Sequence, residues 1–295
     1  MDAFQRKKIE SVIQDIHHLP TLPVIYSRLK KLLADPRSTA KEIGAMLEED
    51  QALTTRILKI VNSALFSFPK RISSVPHAVV ILGIKEIKHI TLAASVVDLF
   101  PEVGSTYNFN HKAFWEHSLA VAACSRIIAK KVGIMKVKDP EEAFTAGLIH
   151  DIGKLISDQF MHDTFIKVLK TTAEEQIPYI QAEEKNIGFT HQDIGRFLAE
   201  KWNLPLPFIE IISYHNTPIL KNIDGTIFVL LAIVHLANIL AKALNIGFSG
   251  DPFVTPLDEL CWKALGINEN QIQLIMDETK ENSQELIELL LTANA

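Results

Sequence analysis

Apolar residues along this chain recur at the spacing of α-helices, and no stretch sustains the alternation that a half-buried β-strand requires. In LPTLPVIYSRLKKLL, for example, Val24, Leu29 and Leu33 lie near one helical face, after two prolines that suit a helix start. Glycine and proline fall mostly between such runs, where they end helices. The pattern therefore predicts an all-α protein.

One segment interrupts the helical pattern and divides the 295 residues. Residues 101–110, PEVGSTYNFN, carry the proline, glycine, serine and asparagine that are typical of a connecting loop. We therefore predict two lobes, an N-terminal helical bundle over residues 1–110 and a helical core over 111–246. A polar loop then leads to C-terminal helices, residues 247–295, which are expected to pack on the core.

The composition argues against nucleic-acid binding and favours a cytoplasmic location. The formal net charge is −5 and the pI about 6.1, which gives no electrostatic argument for binding nucleic acid. Cys124 and Cys261 lie in apolar helical patterns and are predicted to be reduced, buried thiols of a cytoplasmic protein. The N-terminus lacks the apolar segment of a signal peptide.

The most apolar segment is TIFVLLAIVHLANILAKAL, residues 226–244. Its length alone would permit a membrane span. However, its uninterrupted apolar run is short, and His235, Asn238 and Lys242 follow it. We therefore predict a buried core helix and no membrane partner.

A His–Asp pair lies inside an apolar segment, AGLIHDIGKL, at residues 146–155. His150 and Asp151 have apolar neighbours on both sides, and Gly147 precedes both by one turn. Because a buried charge without a partner is costly, this pair is expected to be bound to something. Gly147 is expected to leave room for a close approach to the backbone.

Further polar residues fall on the apolar faces of separate predicted helices. They are His117, His191, His215 and Asn238. Side chains that converge from several helices are how helical bundles build metal sites. Histidine with carboxylate ligation suits iron, manganese, nickel or zinc, with one or two ions. Spacing alone leaves two interpretations open: a metal or phosphate site, or buried histidines that are satisfied by hydrogen bonds.

Other polar residues are less informative. Lys154 either holds a phosphate beside the site or simply favours a helix end. His235 lies one turn from Asn238 and is ambiguous. The remaining histidines lie in polar or mixed surroundings and are assigned no role: His17, His18, His77, His89, His111 and His162.

With these residues in place, the chain resembles the HD superfamily of metal-dependent phosphohydrolases and, more closely, the HDOD domain, a relative of the HD-GYP domain. The segment LIHDIGK is typical of the superfamily, and DQALTTRILKIVNSALF makes the likeness to HDOD specific. Further matching stretches are LPTLPVIYSRLKKLL, AVVILGIKEIKHITL, FWEHSLAVA, EEKNIGFTHQDIGRFLAEKWNLP and IISYHNTP. Together they span roughly residues 15 to 240.

The resemblance implies a metal-ligand set. His117, His150 and Asp151 match the first three ligands of HD enzymes, and His191 and His215 match histidines around a second metal. Glu184 stands where a carboxylate precedes the first of these additional histidines, and it is expected to bridge the metals weakly or to accept a hydrogen bond from a ligand. If the site is active, Asp151 would assist proton transfer and Lys154 would neutralise phosphate charge.

The sequence departs from the HD pattern at the last ligand. Where HD enzymes have aspartate, this chain has Asn238, whose amide oxygen coordinates weakly and carries no charge. The GYP motif of cyclic-di-GMP phosphodiesterases is also missing, since NTPILKN follows His215.

These features predict a cytoplasmic HDOD signalling protein whose degenerate pocket binds a divalent metal without catalysis. The alternative is a metal-dependent phosphohydrolase acting on a nucleotide or cyclic nucleotide. No receiver, kinase or GGDEF domain is present, so the expected partners are signalling proteins on other chains. A nucleotide or phosphate ligand is a further expectation.

Overall fold

The structure, a computed structural model, describes residues 19–100, 107, 109–133, 137, 139–218 and 224–292. Within those residues the chain is helical and contains no β-strand, so the predicted all-α class is confirmed. Most of the predicted boundary loop, residues 101–106 and 108, lies outside the described residues. The domain limits stay a prediction.

The described part of the predicted N-terminal lobe, mainly residues 19–100, contains five helices. Helix α2 begins with a capping box, in which Thr39 and Glu42 satisfy each other's backbone amides. Gly83 separates α4 from α5 at φ +104°, a conformation that favours glycine. The bounds are α1 Val24–Ala34, α2 Ala40–Leu47, α3 Gln51–Val61, α4 Val75–Leu82 and α5 Ile84–Val97.

The helical core follows. Helix α11 begins with a capping box between Thr190 and Asp193, as their spacing in the sequence predicts. The bounds are α6 His111–Val132, α7 Pro140–Ile149, α8 Ile152–Phe160, α9 His162–Glu175, α10 Tyr179–Asn186, α11 His191–Lys201, α12 Leu206–Tyr214 and α13 Gly225–Ala243.

Two C-terminal helices pack onto this core. Helix α14 spans Glu259–Leu265 and lies against α13, and α15 spans Glu269–Ile287 and lies against α6. A short π-helical segment, Glu288–Thr292, continues α15 and reaches α3. Both cysteines are buried free thiols, and burial raises the pKa of each to about 12.

The lobes share one continuous apolar core, which runs from Ile25 to Leu286. Polar contacts reinforce it. The Thr145 hydroxyl donates to the carbonyl of His89 at 2.9 Å, and the Trp202 indole donates to the carbonyl of Pro20 at 2.8 Å. Contacts between the lobes are therefore part of the interior of the protein.

Helix α13 is long and apolar enough to cross a membrane by length and composition, with a mean hydropathy of 2.0 in its most apolar window. Of that window, 67% is buried inside the protein, where α13 packs against α6 and α12. Helix α13 is thus packed as a core helix, as the sequence predicts.

Glycine allows α8 and α11 to approach closely. A Cβ added at Gly153 would overlap the carbonyl oxygen of His191, and one added at Gly195 would meet the side chain of Ile212 at 2.6 Å. The close approach brings Asp151, at the start of α8, next to His191, at the start of α11.

We predict that Gly153→Ala lowers the free energy of unfolding by about 3 kcal/mol, because backbone must move to admit the methyl group. The matched control is Gly225→Ala at the start of α13, where an added Cβ meets nothing within 4 Å. Urea unfolding of both variants measures the difference. Equal stability of the two variants would contradict the close approach.

Candidate metal centre

Helices α6 and α13 contribute the first pair of site residues. His117 Nε2 lies 3.1 Å from Asn238 Oδ1, and both side chains are buried. The loop after α13 packs on the backbone of α6, because a Cβ at Gly247, which has φ +64°, would overlap the amide nitrogen of His117. This packing brings Ser249 into the same region as His117.

The His–Asp pair lies at the junction of α7 and α8. His150 follows the last residue of α7, and its Nδ1–H donates to the Gly147 carbonyl at 2.7 Å. That bond leaves Nε2 facing inward, where it is buried, lies 3.4 Å from Asp151 Oδ2 and makes no hydrogen bond with the described residues. The group that approaches the backbone at Gly147 is helix α6, through Val121 and Ser125.

The Asp151 carboxylate is shared by several groups, although only 1% of the residue is exposed. Its Oδ2 accepts from Lys154 Nζ at 2.7 Å. Its Oδ1 lies 3.2 Å from His191 Nε2 and 3.1 Å from His215 Nε2. One carboxylate therefore connects the starts of α8 and α11 with the end of α12.

Glu183 orients His191. One oxygen of its buried carboxylate accepts from His191 Nδ1–H at 2.6 Å, and the other accepts from the His191 backbone amide at 2.8 Å. The sequence prediction placed this role on Glu184, but the Glu184 residue is exposed. The correction follows from helix geometry, since neighbouring residues point about 100° apart.

His215 is held by backbone groups at the end of α12. Its Nδ1–H donates to the Ile212 carbonyl at 3.2 Å, which turns Nε2 toward Asp151. His235, ambiguous in the sequence, donates from Nδ1 to the carbonyl of His215 at 2.7 Å. His235 therefore helps to fix the backbone of His215.

Asn216 is a site residue that the sequence patterns did not reveal. Its Nδ2 lies 2.9 Å from His215 Nε2 and 3.1 Å from His191 Nε2, and its backbone amide donates to Gln192 Oε1 at 2.9 Å. The amide thus faces the two ring nitrogens that would bind a metal. No helical periodicity could identify it, because α12 ends at Tyr214.

Lys154 is buried next to the carboxylate. Besides Asp151, its ammonium contacts Ser249 Oγ at 3.3 Å and lies 5.0 Å from the centre of the Tyr179 ring. The residue is 2% exposed, so its role is not that of a surface lysine at a helix end. A second lysine with a mostly buried side chain, Lys242, pairs with Asp251 at 2.6 Å.

The environment holds the ligand groups in metal-binding protonation states. Burial lowers the pKa of His117, which His150 lowers further, and burial lowers the pKa of His215 to about 3. Both rings are therefore neutral at pH 7, the form that binds metals. Burial opposes ionisation of Asp151, but the Lys154 ammonium beside it outweighs burial and holds the pKa of this carboxyl well below the ordinary value.

The Glu183–His191 pair behaves differently. Burial raises the pKa of Glu183, and the attraction of His191 only partly offsets this. Burial also acts to lower the pKa of His191, but the Glu183 carboxylate outweighs it and the pKa rises. Glu183 and His191 therefore hold a proton between them. A metal can bind His191 Nε2 only when that nitrogen carries no proton.

The structure assembles two donor triads of the kind that hold a metal ion, and they share Asp151. One comprises His117, His150 and Asp151, and the other Asp151, His191 and His215, with the donor atoms of each within 4.8 Å of one another. Every one of these residues is buried. The five residues predicted from sequence thus lie together, and Asn238 lies beside His117.

Two histidines that were assigned no role form a separate cluster with the buried Asp158, in which His111 is buried and His162 is exposed. His111 Nε2 pairs with Asp158 Oδ2 at 2.8 Å, and His162 Nδ1 pairs with Asp158 Oδ1 at 3.0 Å. The expectation of a polar or mixed environment was wrong for His111, which is 2% exposed. This cluster braces α6 against α8 and α9.

Comparison with known proteins agrees with this architecture. The HDOD domain model matches residues 19–218. An uncharacterized protein of Treponema pallidum (strain Nichols) is 26% identical over 213 residues, which cover 72% of this chain and 40% of that protein. The chain thus spans less than half the length of this relative.

Solved structures share the whole fold. An HDOD domain protein of unknown function from Geobacter sulfurreducens has a TM-score of 0.80 and 28% identity, covering 98% of this chain and 100% of that one. A protein from Shewanella amazonensis SB2B, provisionally described as a phosphohydrolase, has a TM-score of 0.71 and 23% identity, covering 95% and 97%. A provisional signal transduction protein from Marinobacter aquaeolei VT8 has a TM-score of 0.75 and 20% identity, covering 97% and 64%.

We predict that Asp151→Asn destabilises the metal-free protein by about 3 kcal/mol, because it leaves the Lys154 ammonium buried without its carboxylate. The double variant Asp151→Asn, Lys154→Met removes both charges and is expected to recover much of that loss. Chemical denaturation in the presence of a chelator measures the cycle. Additive losses in the double variant would contradict a coupled buried pair.

The metal-free protein is also expected to lose stability as the pH falls from about 6.5 toward 3. In that window the unfolded chain binds a proton at His215, whereas the folded chain, with a His215 pKa of about 3, does not. His215→Gln should flatten the pH dependence of the free energy of unfolding. The exposed His77→Gln serves as control, and equal slopes for both variants would contradict the assignment.

Proposed function

The chain belongs to the HDOD domain family, and from this premise we propose that it is a regulatory protein whose HD pocket binds a divalent metal without turning over a substrate. Its partners in this role are signalling proteins on other chains. The observation that carries the proposal is the buried His150 Nε2, which makes no hydrogen bond with the described residues and lies 3.4 Å from Asp151 Oδ2, a co-ligand in the same triad. Leaving a buried polar atom unpaired is costly, and a metal ion would satisfy it.

The donor set fits a divalent metal. Nitrogen and oxygen donors dominate and no thiolate is present in the two triads, which suits iron, manganese, nickel or zinc. The Nδ1–H groups of His150, His191 and His215 are each bonded to a carbonyl or carboxylate, which fixes the rings with Nε2 toward the centre. Asn216 would have to release its contacts with His191 and His215 when a metal binds there.

Two features support a site without turnover. Asn238 replaces a charged ligand with a neutral amide, and Lys154 places a positive charge 2.7 Å from the shared Asp151 carboxylate. Both lower the negative charge available to stabilise a divalent ion. The donor residues are also 0–2% exposed, so a phosphate ester would need the surrounding side chains to move before it reached them.

The second candidate is a phosphohydrolase, and the position of Lys154 favours it. The ammonium lies between Asp151 and Ser249, where it could hold a phosphate oxygen beside the metal ligands. A bound divalent ion would lower the pKa of its water and supply the nucleophile. In this candidate Asp151 assists proton transfer and Lys154 neutralises phosphate charge.

One titration distinguishes the two candidates. Chelator-treated protein is supplied with Fe²⁺, Mn²⁺, Ni²⁺ or Zn²⁺, and both metal content and hydrolysis of bis(p-nitrophenyl) phosphate are measured. We expect wild type to bind metal without turnover, and Asn238→Asp to bind about tenfold more tightly and to gain phosphodiesterase activity.

Controls make the outcome decisive. His150→Ala should lose metal, whereas His77→Ala, an exposed histidine outside the site, should bind as wild type does. Turnover by wild type that Asp151→Ala abolishes would establish the phosphohydrolase instead. Wild-type protein that takes up no metal would refute both candidates.

A further inference from the structure

A large groove lies between the N-terminal lobe and the end of α15, and its described lining shares no residue with the metal centre. Its walls are α3, the connector of residues 62–74 and the C-terminal end of α15 with its π-helical extension. Its volume is about 870 Å³. Small-molecule sites occupy about 300–1,000 Å³, so the groove has the size of a ligand site.

The connector that forms one wall is firmly held. The Asn62 amide donates to the carbonyls of Leu58 and Ile72, each at 2.8 Å, and its oxygen accepts from the Ile72 amide at 2.7 Å. One side chain therefore clamps the two ends of the connector. The groove is a pre-formed feature, which lowers the entropic cost of binding a ligand.

The same connector is tied to the metal-binding core. Arg126, on α6, donates to the Leu65 carbonyl at 2.5 Å and lies over the Phe66 ring at 4.0 Å. Its guanidinium is in turn paired with Glu141, on α7, at 2.7 Å. Ligand binding in the groove is thus expected to stabilise the whole fold.

The charges in the groove are unbalanced in favour of cations. Lys59 and Arg71 line it, and neither makes an ion pair or hydrogen bond with the described part of the chain. Among the described lining residues one is acidic, Glu285, and it already accepts from the Ala64 amide at 2.9 Å. In a protein of net charge −5, two uncommitted cations at one groove favour an anionic ligand.

The groove also offers apolar contact. Phe68, Leu58 and Leu289 are half-buried in its lining, and the Phe68 ring is stacked on Phe66 with an interplanar angle of 28°. An inorganic anion would leave this surface unused. We propose that the groove binds a small molecule of the nucleoside monophosphate class, with its phosphate on Lys59 and Arg71 and its aromatic body against Phe68.

Calorimetry with adenosine monophosphate, adenosine and inorganic phosphate tests the proposal. The full chain is used in chelator, so that metal does not contribute. We expect the nucleotide to bind at least about tenfold more tightly than either fragment and to raise the melting temperature. The variant Lys59→Ala, Arg71→Ala should weaken nucleotide binding at least about tenfold. The control is Lys70→Ala, an exposed lysine outside the lining, which should bind as wild type does.

A second variant separates this groove from the metal centre. Asp151→Asn, Lys154→Met alters the buried core pair and should leave nucleotide binding unchanged. Three results would each overturn the proposal. These are no nucleotide binding at millimolar concentration, affinity that survives loss of Lys59 and Arg71, and inorganic phosphate binding as tightly as the nucleotide.

Discussion

The shared Asp151 carboxylate is the interaction on which the arrangement of the core depends. It is buried, yet its ionised form is favoured, because the Lys154 ammonium lies against it. The cost of burying this charge is offset by the Lys154 ammonium, which donates to one oxygen, while His191 Nε2 and His215 Nε2 lie within 3.2 Å of the other oxygen. Since these groups lie on α8, on α11 and just after α12, the carboxylate fixes how those helices meet. Both donor triads then depend on one residue, so they cannot vary independently.

A second set of hydrogen bonds gives the triads their direction. His150 and His215 use Nδ1–H on backbone carbonyls, and His191 uses it on Glu183. Each bond selects the tautomer that presents Nε2 to the centre. Two of the three acceptors are main-chain carbonyls near the ends of α7 and α12. The positions at which these helices end therefore set the orientation of the His150 and His215 rings. Helix termini therefore do as much as side-chain identity to define the site.

Helical periodicity was sufficient for the fold class and for the inward placement of the ligand histidines. The Thr190–Asp193 spacing also predicted the start of α11. Helical periodicity failed where the sequence does not define which way a side chain points from the helix axis. Helix α10 has only 8 residues, and choosing Glu183 required noticing that it lies four residues after the buried Tyr179. Asn216 follows the end of a helix, where no period applies, and only the tertiary structure places it over the two rings.

The continuous apolar core between the lobes has a consequence for how such a chain can be rearranged. A boundary between independent modules lies where few contacts cross, and a cut there leaves two closed surfaces. Here a cut between α5 and α6 would expose the buried faces of both lobes, and it would leave the guanidinium of Arg126 without the Leu65 carbonyl. The two lobes are therefore a single structural unit. One lobe could be exchanged for another only if the residues of the shared interior changed with it.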